Sequence, residues 1–150
     1  MTDLRVGVIG FGLAGRLFHA PFIAATAGLE LAAVVTRSPQ RALAARTEYP
    51  GIQVVESVSE LLTMDIDLVV VASPSGLHAE HAQQALQAGR HVVLDKPPAH
   101  DAAQFAALIE LSVSRGRHLI VFHNRRWDSE FRTLQAILDE GSLGTVHRFE

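Results

Sequence analysis

The chain contains no cysteine, which excludes disulfide bonds and thiolate-ligated metals. Aromatic residues are few, with one tryptophan, one tyrosine and seven phenylalanines among 150 residues. Charge of neither sign dominates: 13 Lys and Arg stand against 16 Asp and Glu, for a formal net charge of −3. The basic residues are scattered, so the electrostatic footprint of a nucleic-acid binder is missing. No uninterrupted apolar run reaches the roughly 18–20 residues that a bilayer-spanning helix needs. The stretch "MTDLRVGVIGFG" resembles a secretory leader in its apolar content. Asp3 spoils the basic start such a leader requires, and the glycines within it are spaced for another purpose. No internal repeat, linker or low-complexity tract interrupts the chain. These absences lead us to expect a soluble, cytoplasmic protein that binds neither nucleic acid nor membrane.

What remains is a core-forming sequence. Apolar residues make up 48% of the chain, and its length suits one domain with a real interior. Four apolar runs stand out, at 5–10, 67–72, 91–95 and 118–122, with weaker versions at 29–35 and 52–55. Continuous valine-rich runs without polar alternation suit strands covered on both faces, as in a parallel sheet. Helical segments fall between them. One spans 77–88 and stops at Gly89. Another spans 101–114, opens with Asp101 and Gln104 as a capping-box variant, and sets Phe105, Leu108, Ile109 and Val113 on one face. A last one runs from Asp128 to Gly141 with Phe131, Leu134 and Leu138 inward. Strand alternating with helix predicts right-handed crossovers and an α/β fold with a Rossmann-type doubly wound parallel sheet.

The first loop carries the strongest motif. "VIGFGLAG" places Gly10, Gly12 and Gly15 in the G-x-G-x-x-G spacing, directly after a strand and opening a helix. Gly10 permits the tight turn, Gly12 lets backbone approach a pyrophosphate, and Gly15 lets the helix close on the strand. Amide groups at that helix start then face the phosphates of a dinucleotide, aided by the helix dipole, and Gly10, Phe11, Gly12, Leu13, Ala14 and Gly15 are assigned to the cofactor. The nucleotide's identity is read at the end of the second strand. A carboxylate there would bind the free ribose of NAD. "VVTRSPQRA" has none and presents Thr36, Arg37 and Ser38 instead, a set suited to a 2′-phosphate. NADP is therefore expected over NAD. Ser38 and Pro39 also read as the N-cap and first position of the next helix.

Three further loops follow strands at the same edge of the sheet: "SPSGLH", "DKPPAH" and "HNRRWD". With these on the page, the chain resembles the glucose–fructose oxidoreductase / inositol dehydrogenase / rhizopine-catabolism family, Gfo/Idh/MocA. The resemblance runs over essentially all 150 residues, through "GFGLAGRLFHAPF", "SPSGLHAEHAQQAL", "AGRHVVLDKPPA" and "VFHNRRWD". It is strongest toward the NADP-linked scyllo-inositol dehydrogenases. It implies an NAD(P)-dependent dehydrogenase that moves a hydride between a nicotinamide cofactor and a hydroxyl carbon of a sugar or inositol-like polyol. It makes Lys96 the catalytic lysine, touching the nicotinamide ribose and the reacting oxygen. It also implies a cis peptide bond between Lys96 and Pro97, proline being the residue at which that form is cheap. Ser73, Pro74, Ser75, His78, Asp95, Lys96, Pro97, Asn124, Arg126 and Trp127 would line the cofactor groove beside the glycine turn. Two positions depart from the family pattern: Asp95 stands where glutamate is usual, and Ser75 where asparagine is usual.

Other residues carry less. Arg125 and Arg126 without a basic field do not make a nucleic-acid surface. Trp127 serves either as an apolar wall near the nicotinamide or as interface packing. His78 and His81, three apart on one helix, lack a third ligand, so no metal site is expected. His19, before Pro21, marks the kinked end of the first helix. Residues 1–143 are assigned to the nucleotide-binding domain. Residues 144–150, "GTVHRFE", are assigned to the first strand of a second, substrate-binding and oligomerising domain. In the family that domain supplies an aspartate–histidine pair for acid–base work. The chain accordingly reads as an amino-terminal piece, nearly inert alone, of a homo-oligomeric enzyme. Two competing readings remain, a non-catalytic NADP-dependent regulator and a small reductase complete in itself.

Overall fold

Branched apolar side chains at every position of Leu68–Val71 (β4), and at four of six in Leu4–Ile9 (β1), suit these strands to burial on both faces. The computed structural model, which describes residues 3–148, pairs these two strands in parallel at the middle of the sheet. Leu29–Val35 (β2) and Gln53–Val55 (β3) extend it on one side, His91–Leu94 (β5) and Leu119–Val121 (β6) on the other. The order is β3-β2-β1-β4-β5-β6 and every pairing is parallel. The order reverses between β1 and β4, where a doubly wound sheet opens its binding crevice.

Successive residues of each strand feed opposite cores. Val6, Val8, Val34 and Val70 pack with Ala20, Ile23 and Ala45 beneath the helices Ala20–Ala25 (α1) and Pro39–Glu48 (α2). On the other face, Ile9, Val35, Val71, Val92 and Leu94 meet Leu61, Ala82, Leu86 and Leu108. These come from Val58–Thr63 (α3), His78–Gln87 (α4) and Ala102–Ser114 (α5). Each fully buried Val or Leu contributes about 1.5–3 kcal/mol against exposure, so the two faces together hold the strand ends in register.

Several expectations need correction. The six-residue α3 was not anticipated. In α5 the Asp101 cap forms as read, its side chain accepting from Gln104 N at 2.7 Å, but Gln104 Oε1 reaches one residue beyond the cap and accepts from His100 N at 3.0 Å. Its inward face differs, however. Leu108 is buried at 4% exposure with Ser112, and Phe105 and Leu111 pack against the same core, while Ile109 is exposed and Val113 is 75% exposed. The apolar arc of this helix is wider than the surface the sheet covers. The last helix, Ser129–Asp139 (α6), likewise leaves Phe131 and Leu138 exposed. Residues 144–148 pair with no strand among the described residues, and the end of the strand expected there, Phe149 and Glu150, lies outside them.

Candidate functional site

The glycine turn after β1 is enforced by sterics. Gly10 has φ +96°, a left-handed conformation, and a Cβ there would meet the Ala72 carbonyl oxygen at 2.7 Å. Its N–H donates to Val35 O at 3.1 Å, tying the turn to β2. A Cβ on Gly15 would sit 2.0 Å from the Gly10 carbonyl oxygen, so helix and strand can approach only without one. Gly12 differs, since a Cβ there would meet nothing closer than the Arg41 guanidinium at 3.7 Å. The turn is therefore closed behind and open in front, the shape a diphosphate needs. Leu13 and Ala14 continue the turn into the helix. The Phe11 side chain points elsewhere: it is buried in the core edge-on to Tyr49, leaving only its backbone for a ligand.

The helix begins as a π-helical stretch, Ala14–His19, with Ala20 N–H bonded back to Gly15 O, and then runs on as α1. His19 is thus the joint between two helical geometries and not a kinked end. Its ring is 4% exposed, its Nε2 lies 3.2 Å from Asp95 Oδ1, and Phe122 flanks it at 4.5 Å. Arg16, one turn earlier, binds Glu48 at the end of α2, Nε to Oε2 at 3.1 Å, and that hydrogen bond raises its pKa further.

At the end of β2, Thr36 is buried and its Oγ1 accepts from Ser38 N at 3.3 Å. Ser38 caps α2 by accepting from Arg41 N at 3.4 Å, and Pro39 takes the first helical position, as read from sequence. Arg37 is exposed. Sequence reasoning passed over Arg41, whose guanidinium lies across the face of Gly12. Neither arginine has a carboxylate partner among the described residues.

The loops after β4 and β5 are joined by histidine. His78, expected to line the cofactor groove, is instead buried at the head of α4 with 2% exposure; its Nε2 lies 2.8 Å from Ser73 O and its Nδ1 2.7 Å from Pro97 O, and a neutral ring donates to only one of these carbonyls. His81 Nδ1 lies 2.9 Å from Ser73 Oγ. Burial lowers the His81 pKa, with Glu80 opposing and His78 adding to the effect. Pro74 and Ser75 lead into a short 3-10 turn, Ser75–Leu77, and are exposed. Asp95 N–H donates to Val71 O at 3.1 Å. The Lys96–Pro97 bond is cis. Lys96 is the single lysine of the chain; the other twelve of its 13 basic residues are arginine. Its side chain is exposed and makes no bond among the described residues.

After β6, Asn124–Trp127 forms another 3-10 turn, and Arg125 pairs with Asp128 at 2.8 Å. Lys96, His123, Asn124, Arg125, Arg126 and Phe131 line a hollow of about 410 Å³. The structure thus brings Lys96, Asn124 and Arg126 together and adds His123, which the sequence did not single out. Trp127 is 74% exposed and stands outside that lining. A second hollow of about 500 Å³ is walled by Val58, Ser59, Leu62, His81, Gln84 and Gln87 of α3 and α4, and by no residue of the strand-end loops. Among the described residues no group of three His, Cys, Asp or Glu could hold a metal ion, and no helix is long and apolar enough to cross a membrane.

A glycine turn closed behind and open in front, at the switch point of a parallel six-stranded sheet, defines a dinucleotide-binding domain. The chain belongs to the Gfo/Idh/MocA oxidoreductase family with NAD-binding Rossmann fold, whose model matches residues 4–123. It is 46% identical to the uncharacterized oxidoreductase YdgJ of Escherichia coli over all of this chain and 43% of that one. It is 36% identical to IolW of Bacillus subtilis, a scyllo-inositol 2-dehydrogenase (NADP(+)), over all of this chain and 41% of that one. The solved structure of the YPO2259 protein of Yersinia pestis matches with a TM-score of 0.90 at 45% identity, covering 97% of this chain and 41% of that one. The chain therefore spans less than half the length of these relatives.

Proposed function

We propose that this chain is the NADP-binding domain of a cytoplasmic dehydrogenase acting on a hydroxyl carbon of a sugar or inositol-like polyol. The observation that carries the reading is Lys96, an amine without a partner among the described residues, in a roomy hollow at the same sheet edge as the glycine turn. The glycine turn accepts the diphosphate through backbone N–H groups. Thr36, Arg37, Ser38 and Arg41 would receive an adenosine 2′-phosphate, and no carboxylate among them repels it. The NADP named for the relative IolW agrees with that reading. The nicotinamide, when bound, supplies the hydride acceptor. Lys96 then holds the reacting hydroxyl, takes part in moving its proton and stabilises the developing negative charge on that oxygen. Asn124 and Arg126 orient groups in the same hollow. A second domain, beginning within 144–150 and building the oligomer, would supply the substrate floor, as the relatives' greater length suggests.

Two measurements test this reading. NADPH and NADH titrated into the chain by fluorescence are expected to differ by roughly tenfold or more, about 1.4 kcal/mol, in favour of NADPH. Arg37→Ala combined with Arg41→Ala is expected to erase the difference. Equal affinities in the unaltered chain overturn the NADP assignment. Hydride transfer by the full-length protein across a polyol panel, lost in Lys96→Ala, supports the dehydrogenase. Cofactor binding without turnover supports a non-catalytic regulator instead.

A further inference from the structure

Lys96 must stand at one point in the crevice, yet its own side chain is held by nothing among the described residues. Its position is set by the backbone on either side, and each flanking residue is gripped by a buried imidazole. Asp95 Oδ1 lies 3.2 Å from His19 Nε2, and the Pro97 carbonyl oxygen lies 2.7 Å from His78 Nδ1, accepting from it when the ring proton is on that nitrogen. The two rings arrive from different directions. His19 ends the π-helical stretch that opens at the glycine turn, while His78 starts α4 and sets its Nε2 2.8 Å from the Ser73 carbonyl, which competes for the single proton of a neutral ring. Burying two polar rings costs free energy unless both are hydrogen-bonded, and both are bonded to this loop.

We infer that His19 and His78 are positioning residues for Lys96. They lock the lysine loop to the phosphate-binding helix on one side and to the loop after β4 on the other. Neither ring is within the lining of the Lys96 hollow, so both act through the backbone and not on substrate. This inference rests on the dehydrogenase reading above. Misplacing a reacting group by about 1 Å can cost on the order of a hundredfold in rate, so such a clasp matters more to chemistry than to cofactor affinity.

The ring nitrogens allow a test that separates positioning from general packing. A glutamine amide nitrogen takes the place of Nε2 and an asparagine amide nitrogen that of Nδ1. His19 should therefore be rescued by glutamine and not by asparagine. His78 should show the opposite order, because only asparagine keeps the bond to Pro97. The readout uses the chain's single lysine. Periodate cleaves NADP only at the nicotinamide ribose, since the 2′-phosphate blocks the other diol. The resulting dialdehyde forms an imine with a nearby amine that cyanoborohydride fixes, and mass spectrometry reads the modified residue. In the unaltered 150-residue chain, Lys96 is expected to be the labelled site. At saturating reagent the labelling rate should fall roughly tenfold in His19→Asn and in His78→Gln, and return to within about threefold of the original in His19→Gln and His78→Asn. NADPH affinity should change by less than about threefold in all four, and circular dichroism should confirm folding. Equal labelling in both substitutions at each site, or affinity falling in step with labelling, overturns the inference. No labelling of the unaltered chain at Lys96 sinks the dehydrogenase reading and this inference with it.

Discussion

Two glycines three positions apart do different jobs, and the difference can be measured. Gly15 is pinned against the Gly10 carbonyl, whereas Gly12 faces open space and the flexible end of Arg41. Gly15→Ala should force the helix off the strand and destabilise the fold by more than about 3 kcal/mol. Gly12→Ala should leave stability within about 0.5 kcal/mol of the original and, on the proposed reading, weaken NADPH binding by roughly tenfold or more, its methyl group standing where a phosphate would approach. Urea unfolding and fluorescence titration of the pair check both halves. At this scale the sequence was legible where spacing along the chain encodes the chemistry, as in the glycine turn, Ser38 before Pro39, and Asp101 with Gln104. It was mute on His19 with Asp95 and on Arg41 with Gly12. Those residues lie far apart in sequence and meet only once the sheet has formed.

Elements were legible in proportion to how completely they are buried. The valine runs announced β1, β2, β4 and β5 to within a residue or two, because a strand covered on both faces has no polar alternation to confuse it. Helix faces were harder. α5 is apolar around more of its circumference than the sheet covers, so periodicity placed Ile109 and Val113 with Leu108 and Phe105 on one inward face. Leu108→Ala should cost about 2–5 kcal/mol as a buried truncation. Val113→Gln, on the exposed flank, should change stability by less than about 0.5 kcal/mol. Chemical denaturation of these two variants distinguishes the observed face from the one expected. The short α3 escaped notice because six residues give too few turns for a helical period to emerge.

For the molecule as a whole, stability should decline on mild acidification. His81 and His91 both have pKa values below the ordinary histidine value of about 6.5, through burial first in each case. Glu80 opposes and His78 reinforces the shift at His81; Arg117 and His118 reinforce it at His91, with Asp67 opposing. The unfolded chain therefore takes up protons at a higher pH than the folded one. Stability from these groups is present above about 6.5 and is lost as the pH falls through their lowered values. The urea midpoint should drop between pH 7 and pH 5, and the combined His81→Gln and His91→Gln variant should show a shallower slope. The fold class was legible from alternation alone, and strand order is the part that a linear reading leaves implicit. That order has a bearing on biogenesis. β1 is synthesised before either of its neighbours, and its second one, β4, pairs Val6 with Leu68. At roughly 5–20 residues per second on the ribosome, a valine-rich ribbon must wait several seconds with one flank bare, and a chaperone that shields nascent chains would find its target there.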